Sequence, residues 1–593
     1  MSFLPALARS RAKSSAPDNQ KGFAGKTRPI RLFVLLLSFP AALLWSTQAL
    51  AATVTISPGA NLQTVVDANP AGTTFVLTPG IYRMQSVTAK NGDTFVGQSG
   101  AVLNGSQLLT SFWQEEIGGI TYWVTYGPTQ PGLLVSECDD YFPMCQYPEN
   151  LYIDSTPLLR ASSLLTVTSN TCFYDYAAGR IYFLQDPTGH IVESSSLPFA
   201  FGQGPSDITI KGLIVEKYAT PGQRTAIGDQ FAGTNWTVEN CEVRLNHAEG
   251  VRVANGGQAL NNYIHDNGQL GLAVMQTTTA VLVENNELAR NNWAGFRITF
   301  EAAGAKFGYV TGLTAVGNYV HDNQSVGIWC DGGCESGVFE NNLVENNAYH
   351  GIQYEISHAW TIQNNVLVNN GQGTWWGEWW GGSGIDIDES DHVTISGNFV
   401  AGNYRAIVLT MSPRPGVNGG DTDPDLNNDY VHNNIIVTGG VNGLTGLYQT
   451  MNNDAYYTTK NNRFEDNTYC MPASSRGYYW WMNDYATTPV WKGYGEDVDG
   501  KWACPGVYLS SPTSGSVLAG KVPVTAAAAD VASVTKVVFS LDGALVTTIT
   551  TSPYTYSWET TSTANGAHTV KAEAYNSAGA SASSSVSVTV SNP

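Results

Sequence analysis

Three segments in the middle of this chain share one pattern: GIWCD (Gly327 to Asp331), GIQYE (Gly351 to Glu355) and GIDID (Gly384 to Asp388). Each opens on Gly-Ile, alternates apolar and polar residues, and places an acid four residues after the glycine. Alternation with a period of two makes a strand with one buried face. Recurrence at a short interval makes such strands stack as repeats. GFRIT (Gly295 to Thr299) and AIVLT (Ala406 to Thr410) keep the alternation and end in threonine, so they are expected to flank the acidic rungs. Aligned on the glycine, the position four residues on reads Met275, Thr299, Asp331, Glu355, Asp388, Thr410. The position two residues on reads Ala273, Arg297, Trp329, Gln353, Asp386, Val408. The residues between them stay apolar, so the acids are expected to form one column on an outer wall.

A second marker sets the period. Asn-Asn or Gly-Asn, then any residue, then an aliphatic, recurs with its second asparagine at 262, 286, 318, 342, 365, 398 and 434. The steps are 24, 32, 24, 23, 33 and 36, so one turn takes about 23–24 residues and the longer steps carry loops. Asparagine tolerates left-handed backbone angles, and its amide can bond to the same amide one rung away. These asparagines are therefore read as structural.

The ends differ from the middle. Residues 1–51 read as a secretory signal: a basic stretch, the apolar run 32–45, then Ala49-Leu50-Ala51 as a cleavage site. The run is short for a membrane span, and no later segment reads as one. From 52 to 504 the chain reads as short strands and turns, with an amphipathic cap over Asn61 to Ala68. Residues 111–200 break the repeat with aromatic-rich strands and read as an inserted β subdomain. Residues 505–593 give about seven alternating strands with turn signals, the pattern of an immunoglobulin-like sandwich.

Charge narrows the partners. The net charge is −20, and without residues 1–51 it is −26, from 22 Lys/Arg against 48 Asp/Glu. Such acidity argues against nucleic acid or an anionic membrane. Cys138/Cys145, Cys330/Cys334 and Cys470/Cys504 are candidate pairs, while Cys172 and Cys241 have no evident partner. No zinc-type spacing is present.

The repeats resemble the right-handed parallel β-helix superfamily that includes pectate lyases and polygalacturonases. The resemblance covers about Ala52 to Cys504. It is closest over Glu301 to Ser357, where Glu301, Lys306-Phe307, GIWCD and GIQYEIS match a subgroup of secreted β-helix repeat proteins. It implies an all-β solenoid, a secreted or cell-surface location and a polysaccharide context. The catalytic signatures of pectate lyases and polygalacturonases are missing, so neither catalytic set is carried over. The C-terminal segment resembles bacterial immunoglobulin-like domains appended to glycan-active proteins.

The candidate site follows from the column. Asp331, Glu355 and Asp388, with Asp386 beside them, can supply the paired carboxyls of glycoside hydrolysis. Stacked strands lie about 4.8 Å apart. One acid must then hold a proton, or a cation must sit among them. Calcium held by Asp331, Glu355 and Asp388 would suit a second reading, a lyase or epimerase acting on uronate polymers. In that reading Lys306 is the base and Arg297 holds the substrate carboxylate. Trp329, Gln353 and Glu301 are candidate substrate contacts. So are Trp375, Trp376, Trp379 and Trp380, whose indoles could stack on sugar rings. A third reading is a glycan-binding or cell-surface protein in which the acids are only solvated, and a monomer is expected in every reading. His350, His358 and His392 read as turn residues.

Overall fold

The computed structural model describes residues 52–129, 132–202, 204–228, 233–373, 381–412, 425–438, 444–472 and 477–593. The signal expected over residues 1–51 lies outside them. No helix among the described residues is long and apolar enough to cross a membrane.

The repeats wind into a coil of three parallel sheets. The first sheet has 13 strands, from Thr53–Ile56 to Arg463–Glu465, and the second also has 13, from Gly80–Arg83 to Lys501–Trp502. The third has 11, beginning at Thr225–Ile227. From Thr209–Lys211 onward each turn contributes a strand to each sheet, and the apolar alternate positions fill the interior. Ile328, Cys330, Ile352, Tyr354, Ile385 and Ile387 are all fully buried in that core. A short helix, Leu62–Asp67, covers one end and buries Leu62 and Val66.

Two asparagine ladders hold the rungs in register. In the first, Asn262, Asn286, Asn318, Asn342, Asn365, Asn398 and Asn434 each donate through Nδ2 to the Oδ1 one rung on, at 2.9–3.0 Å. The chain of bonds reaches Asn467 and ends on Asp497 Oδ1 at 3.0 Å. The second ladder runs Asn246, Asn267, Asn291, Asn323, Asn347, Asn370, Asn403 at 2.8–3.1 Å. It was not among the sequence expectations.

The second ladder explains the glycine of each Gly-Ile rung. Gly351 lies against it, and a Cβ there would stand 2.7 Å from Gly384 O and 2.9 Å from Asn370 Nδ2. Gly304 and Gly327 meet the same obstacles on their own rungs. Overpacking of this kind costs about 1–3 kcal/mol. Gly351→Ala is therefore expected to lower the urea midpoint with an unchanged slope, and an unchanged midpoint would contradict this packing.

Between the early rungs the chain leaves the coil to build an eight-stranded sheet, from Ser106–Leu109 to Val192–Ser195. It has its own small apolar clusters. A buried polar knot ties it to the coil: Glu193 accepts bonds from Lys217, Arg83 and Asn104. Burial alone would raise the Glu193 pKa, but Lys217 and Arg83 outweigh it and hold the carboxyl below its ordinary range. A depressed folded pKa gives stability above the unfolded value that is lost as pH falls through the folded one. Acidification below about pH 4 is thus expected to loosen this subdomain. Amide exchange of Val192–Ser195 that does not change with acidification would contradict this.

The C-terminal strands from Gly506–Ser511 to Ser581–Val590 form a three-stranded and a five-stranded sheet around Val524, Phe539, Trp558 and Val570. Tyr508, Ala527 and Ala529 of this sandwich pack on Val366, Phe399 and Ala401 of the second sheet. The three cysteine pairs expected from the sequence are disulfides, and Cys172 and Cys241 are free and buried.

Candidate functional site

The acidic column lies on the third sheet. Strands Val326–Asp331, Ile352–Glu355 and Ser383–Asp388 pair in parallel with Asp331 opposite Glu355 and Glu355 opposite Asp388. One step inward along each strand, Trp329 faces Gln353 and Gln353 faces Asp386. Thr410 and Val408 continue the two lines beyond Asp388 and Asp386.

The rung before Asp331 differs from expectation. GFRIT is not a strand of this sheet. The strand is Ala303–Val310, which sets Lys306 opposite Trp329 and Gly308 opposite Asp331. Lys306 therefore holds the ladder position expected for Arg297, and Gly308 the one expected for Thr299. The physical reason is the loop 295–301, which leaves the coil to dock on the inserted subdomain. Arg297 sits there with its guanidinium 2.9 Å from Glu137. The sequence signal was present in Gly304, which continues the glycine line, and in Ala305 and Phe307, which continue the apolar alternation.

The column is less open than expected. Glu355, Asp386, Asp388, Trp329, Gln353 and Lys306 are all buried, although they lie on the wall away from the core. Asp331 keeps 28% of its side chain exposed. Trp375, Trp376, Trp379 and Trp380 lie outside the described residues.

Lys306 organises the charges. Its Nζ lies 3.0 Å from Asp331 Oδ2 and 3.1 Å from Glu301 Oε1, and 3.5 Å from the centre of the Trp329 ring. Burial pulls its pKa down, but Glu301 and Asp331 outweigh that and hold it above the ordinary lysine value. It stands as a buried cation between Glu301 and Asp331. Trp329 Nε1 donates to Glu355 Oε2 at 2.8 Å, and Gln353 Nε2 donates to the same oxygen at 3.2 Å. Thr410 Oγ1 donates to Asp386 Oδ1 at 3.2 Å.

Two neighbours were missed. His350, read as a turn residue, is fully buried with Nε2 3.7 Å from Asp386 Oδ2. Its Nδ1 accepts the Ser383 N–H at 3.1 Å, so a neutral ring carries its proton on Nε2. Burial and the nearby Arg405 push its pKa down to about 3, so the ring is neutral at physiological pH. Tyr309 is 58% exposed and leans over Gly332 and Gly333 beside Asp331. Exposed single aromatics are common, so nothing in the local pattern marks it out. The Cys330–Cys334 disulfide brackets Asp331 and closes the Gly332-Gly333 turn, where both glycines have positive φ.

Residues 227–378 match the family model described as the right handed beta helix region, and residues 505–572 match the bacterial Ig domain. The coil is a right-handed parallel β-helix. Among solved structures, this β-helix protein is similar to XylC in complex with xylose, at 14% identity over 79% of this chain and 86% of that one, with a TM-score of 0.53. It also aligns with the A-module of the Azotobacter vinelandii mannuronan C-5 epimerase AlgE6, at 14% identity over 75% and 94% of the chains and a TM-score of 0.36. Pectate lyase Pel9A aligns at 12% identity over 74% and 82%, with a TM-score of 0.25. The first of these supports the fold. No curated protein sequence matches the chain.

Proposed function

We propose that this β-helix protein is a secreted glycoside hydrolase that uses Asp331 as nucleophile and Glu355 as acid/base. The observation that carries the reading is their direct opposition on adjacent parallel strands, with Lys306 at one end of the pair. Adjacent strands are about 4.8 Å apart, close to the roughly 5–5.5 Å that separates the carboxyls of retaining enzymes.

The environments divide the roles. Lys306 touches Asp331 and sets a cation beside the nucleophile. Glu355 lies one rung further from the cation and is buried. The acid/base role is assigned to it on that position. Trp329 and Gln353 both donate to its Oε2. Attack by Asp331 on the anomeric carbon expels the leaving oxygen, which takes the Glu355 proton. Glu355 then accepts a proton from the water that releases the sugar. Asp388 and Asp386 extend the acidic line, with neutral His350 beside Asp386. Tyr309 offers an exposed ring on which a sugar face can stack.

The uronate lyase reading has less support, because a lysine held as a cation by two carboxylates is a poor base at neutral pH. The discriminating experiment is a glycan panel read for new reducing ends and for absorbance of unsaturated uronates. XylC was solved with xylose, so xylans and xylo-oligosaccharides head the panel. Reducing ends without unsaturated product, in the presence of a chelator, are the expected outcome. Unsaturated product would replace this reading with the lyase. Retention on a glycan column with no product from any glycan would replace it with the binder.

A further inference from the structure

We propose that the inserted subdomain is a working part of the site, because its Glu137 holds Arg297 and so fixes the loop that presents Glu301 to Lys306. The kinetic part of this rests on the hydrolase reading, and the geometric part does not.

The contacts between subdomain and loop are continuous. Glu137 O accepts the Arg297 N–H at 2.9 Å, while Glu137 Oε2 lies 2.9 Å from Arg297 Nη1. Asp140 Oδ1 stands 3.9 Å from Arg297 Nη2. Cys138 and Phe296 form an antiparallel bridge, and the Asp139 N–H donates to Gly295 O at 3.0 Å. The Phe142 ring occupies the space that a Cβ on Gly295 would need. Phe296 and Ala302 are buried against Cys145 and Ala294.

The loop then turns tightly toward the ladder. Phe300 N–H donates to Arg297 O at 3.0 Å, and Glu301 takes a left-handed backbone with φ of +60°. A non-glycine residue holds that conformation only where its surroundings impose it. The turn brings Glu301 Oε1 within 3.1 Å of Lys306 Nζ. Glu301 and Asp331 share one cation, so losing Glu301 changes how strongly Lys306 engages Asp331. Arg297 acts through these neighbours and is a positioning residue.

Charge reversal tests this. Arg297 and Glu137 are 45% and 50% exposed, so the pair adds little to global stability and its variants should fold. Arg297→Glu sets three acids together, and a displaced group near the chemistry is expected to lower kcat by about tenfold with KM little changed. The double variant Arg297→Glu with Glu137→Arg should restore most of the loss. A second readout needs no substrate: labelling of Lys306 by an amine-reactive reagent, followed by peptide mass spectrometry. Labelling should rise several-fold in Arg297→Glu and fall back in the double variant, with the melting temperature unchanged. Unchanged labelling in Arg297→Glu overturns the positioning role whether or not a substrate is found. Normal labelling behaviour with no turnover of any glycan by the wild type overturns only the hydrolase reading.

Discussion

Glu355→Gln is expected to lower kcat on a natural glycan by about 10²–10⁴-fold, the usual worth of a general acid. The amide keeps the shape of the side chain and can still accept from Trp329 and Gln353 on its carbonyl oxygen. Folding should therefore survive, and a near-normal melting temperature serves as the control. A substrate whose leaving group needs no proton separates the two roles. With an activated aryl glycoside, the first step should persist in Glu355→Gln and a glycosyl-enzyme should accumulate. Asp331→Asn should abolish the first step on either substrate, because it removes the nucleophile. Equal loss on both substrates in Glu355→Gln, with no trapped intermediate, would sink the assignment.

Lys306→Met carries the second large effect. The substitution leaves Glu301 and Asp331 without the cation that both now contact. Removing one partner of a fully buried pair costs about 3–5 kcal/mol. Here Glu301 and Asp331 keep 24% and 28% of their side chains exposed, and water offsets part of that loss. A destabilisation of about 2–3 kcal/mol in urea is the expectation. The pairing holds the folded Lys306 above its unfolded value, so its contribution is present at neutral pH and disappears only as pH rises above about 10.4. Activity should respond as well. Without Lys306 the site loses the cation beside Asp331, and its pH–rate profile should change. A wild-type profile and stability in Lys306→Met would remove Lys306 from the site.

Much of this was legible because the repeat is periodic. The Gly-Ile rungs and the asparagine marker fix strand, sheet and register over Val326–Asp331, Ile352–Glu355 and Ser383–Asp388, and the opposition of Asp331, Glu355 and Asp388 follows. The misreading arose where the period is interrupted. GFRIT carries the glycine and the alternation of a rung, but the docking surface that claims it is more than 150 residues earlier in the chain. Long-range packing of that kind leaves no trace in a local pattern. The same limit applies to His350, which sits in a turn by sequence and is drawn into the site by the rung of Asp386 one turn on. Burial of the column was equally hidden, since alternation tells which wall a side chain occupies and not what lies over it.

The final step of the first asparagine ladder bears on how copies of this protein behave at high concentration. A stack of identical turns with a bare last rung is a template, and another molecule could extend it indefinitely. Here the terminal amide of Asn467 meets Asp497, whose second oxygen is taken by the Tyr469 hydroxyl at 2.7 Å and the Trp491 indole at 3.1 Å. The opposite mouth is plugged by the Leu62–Asp67 helix. A filament would have to break one of these seals before it could begin, in spite of a backbone built on the geometry of a fibre.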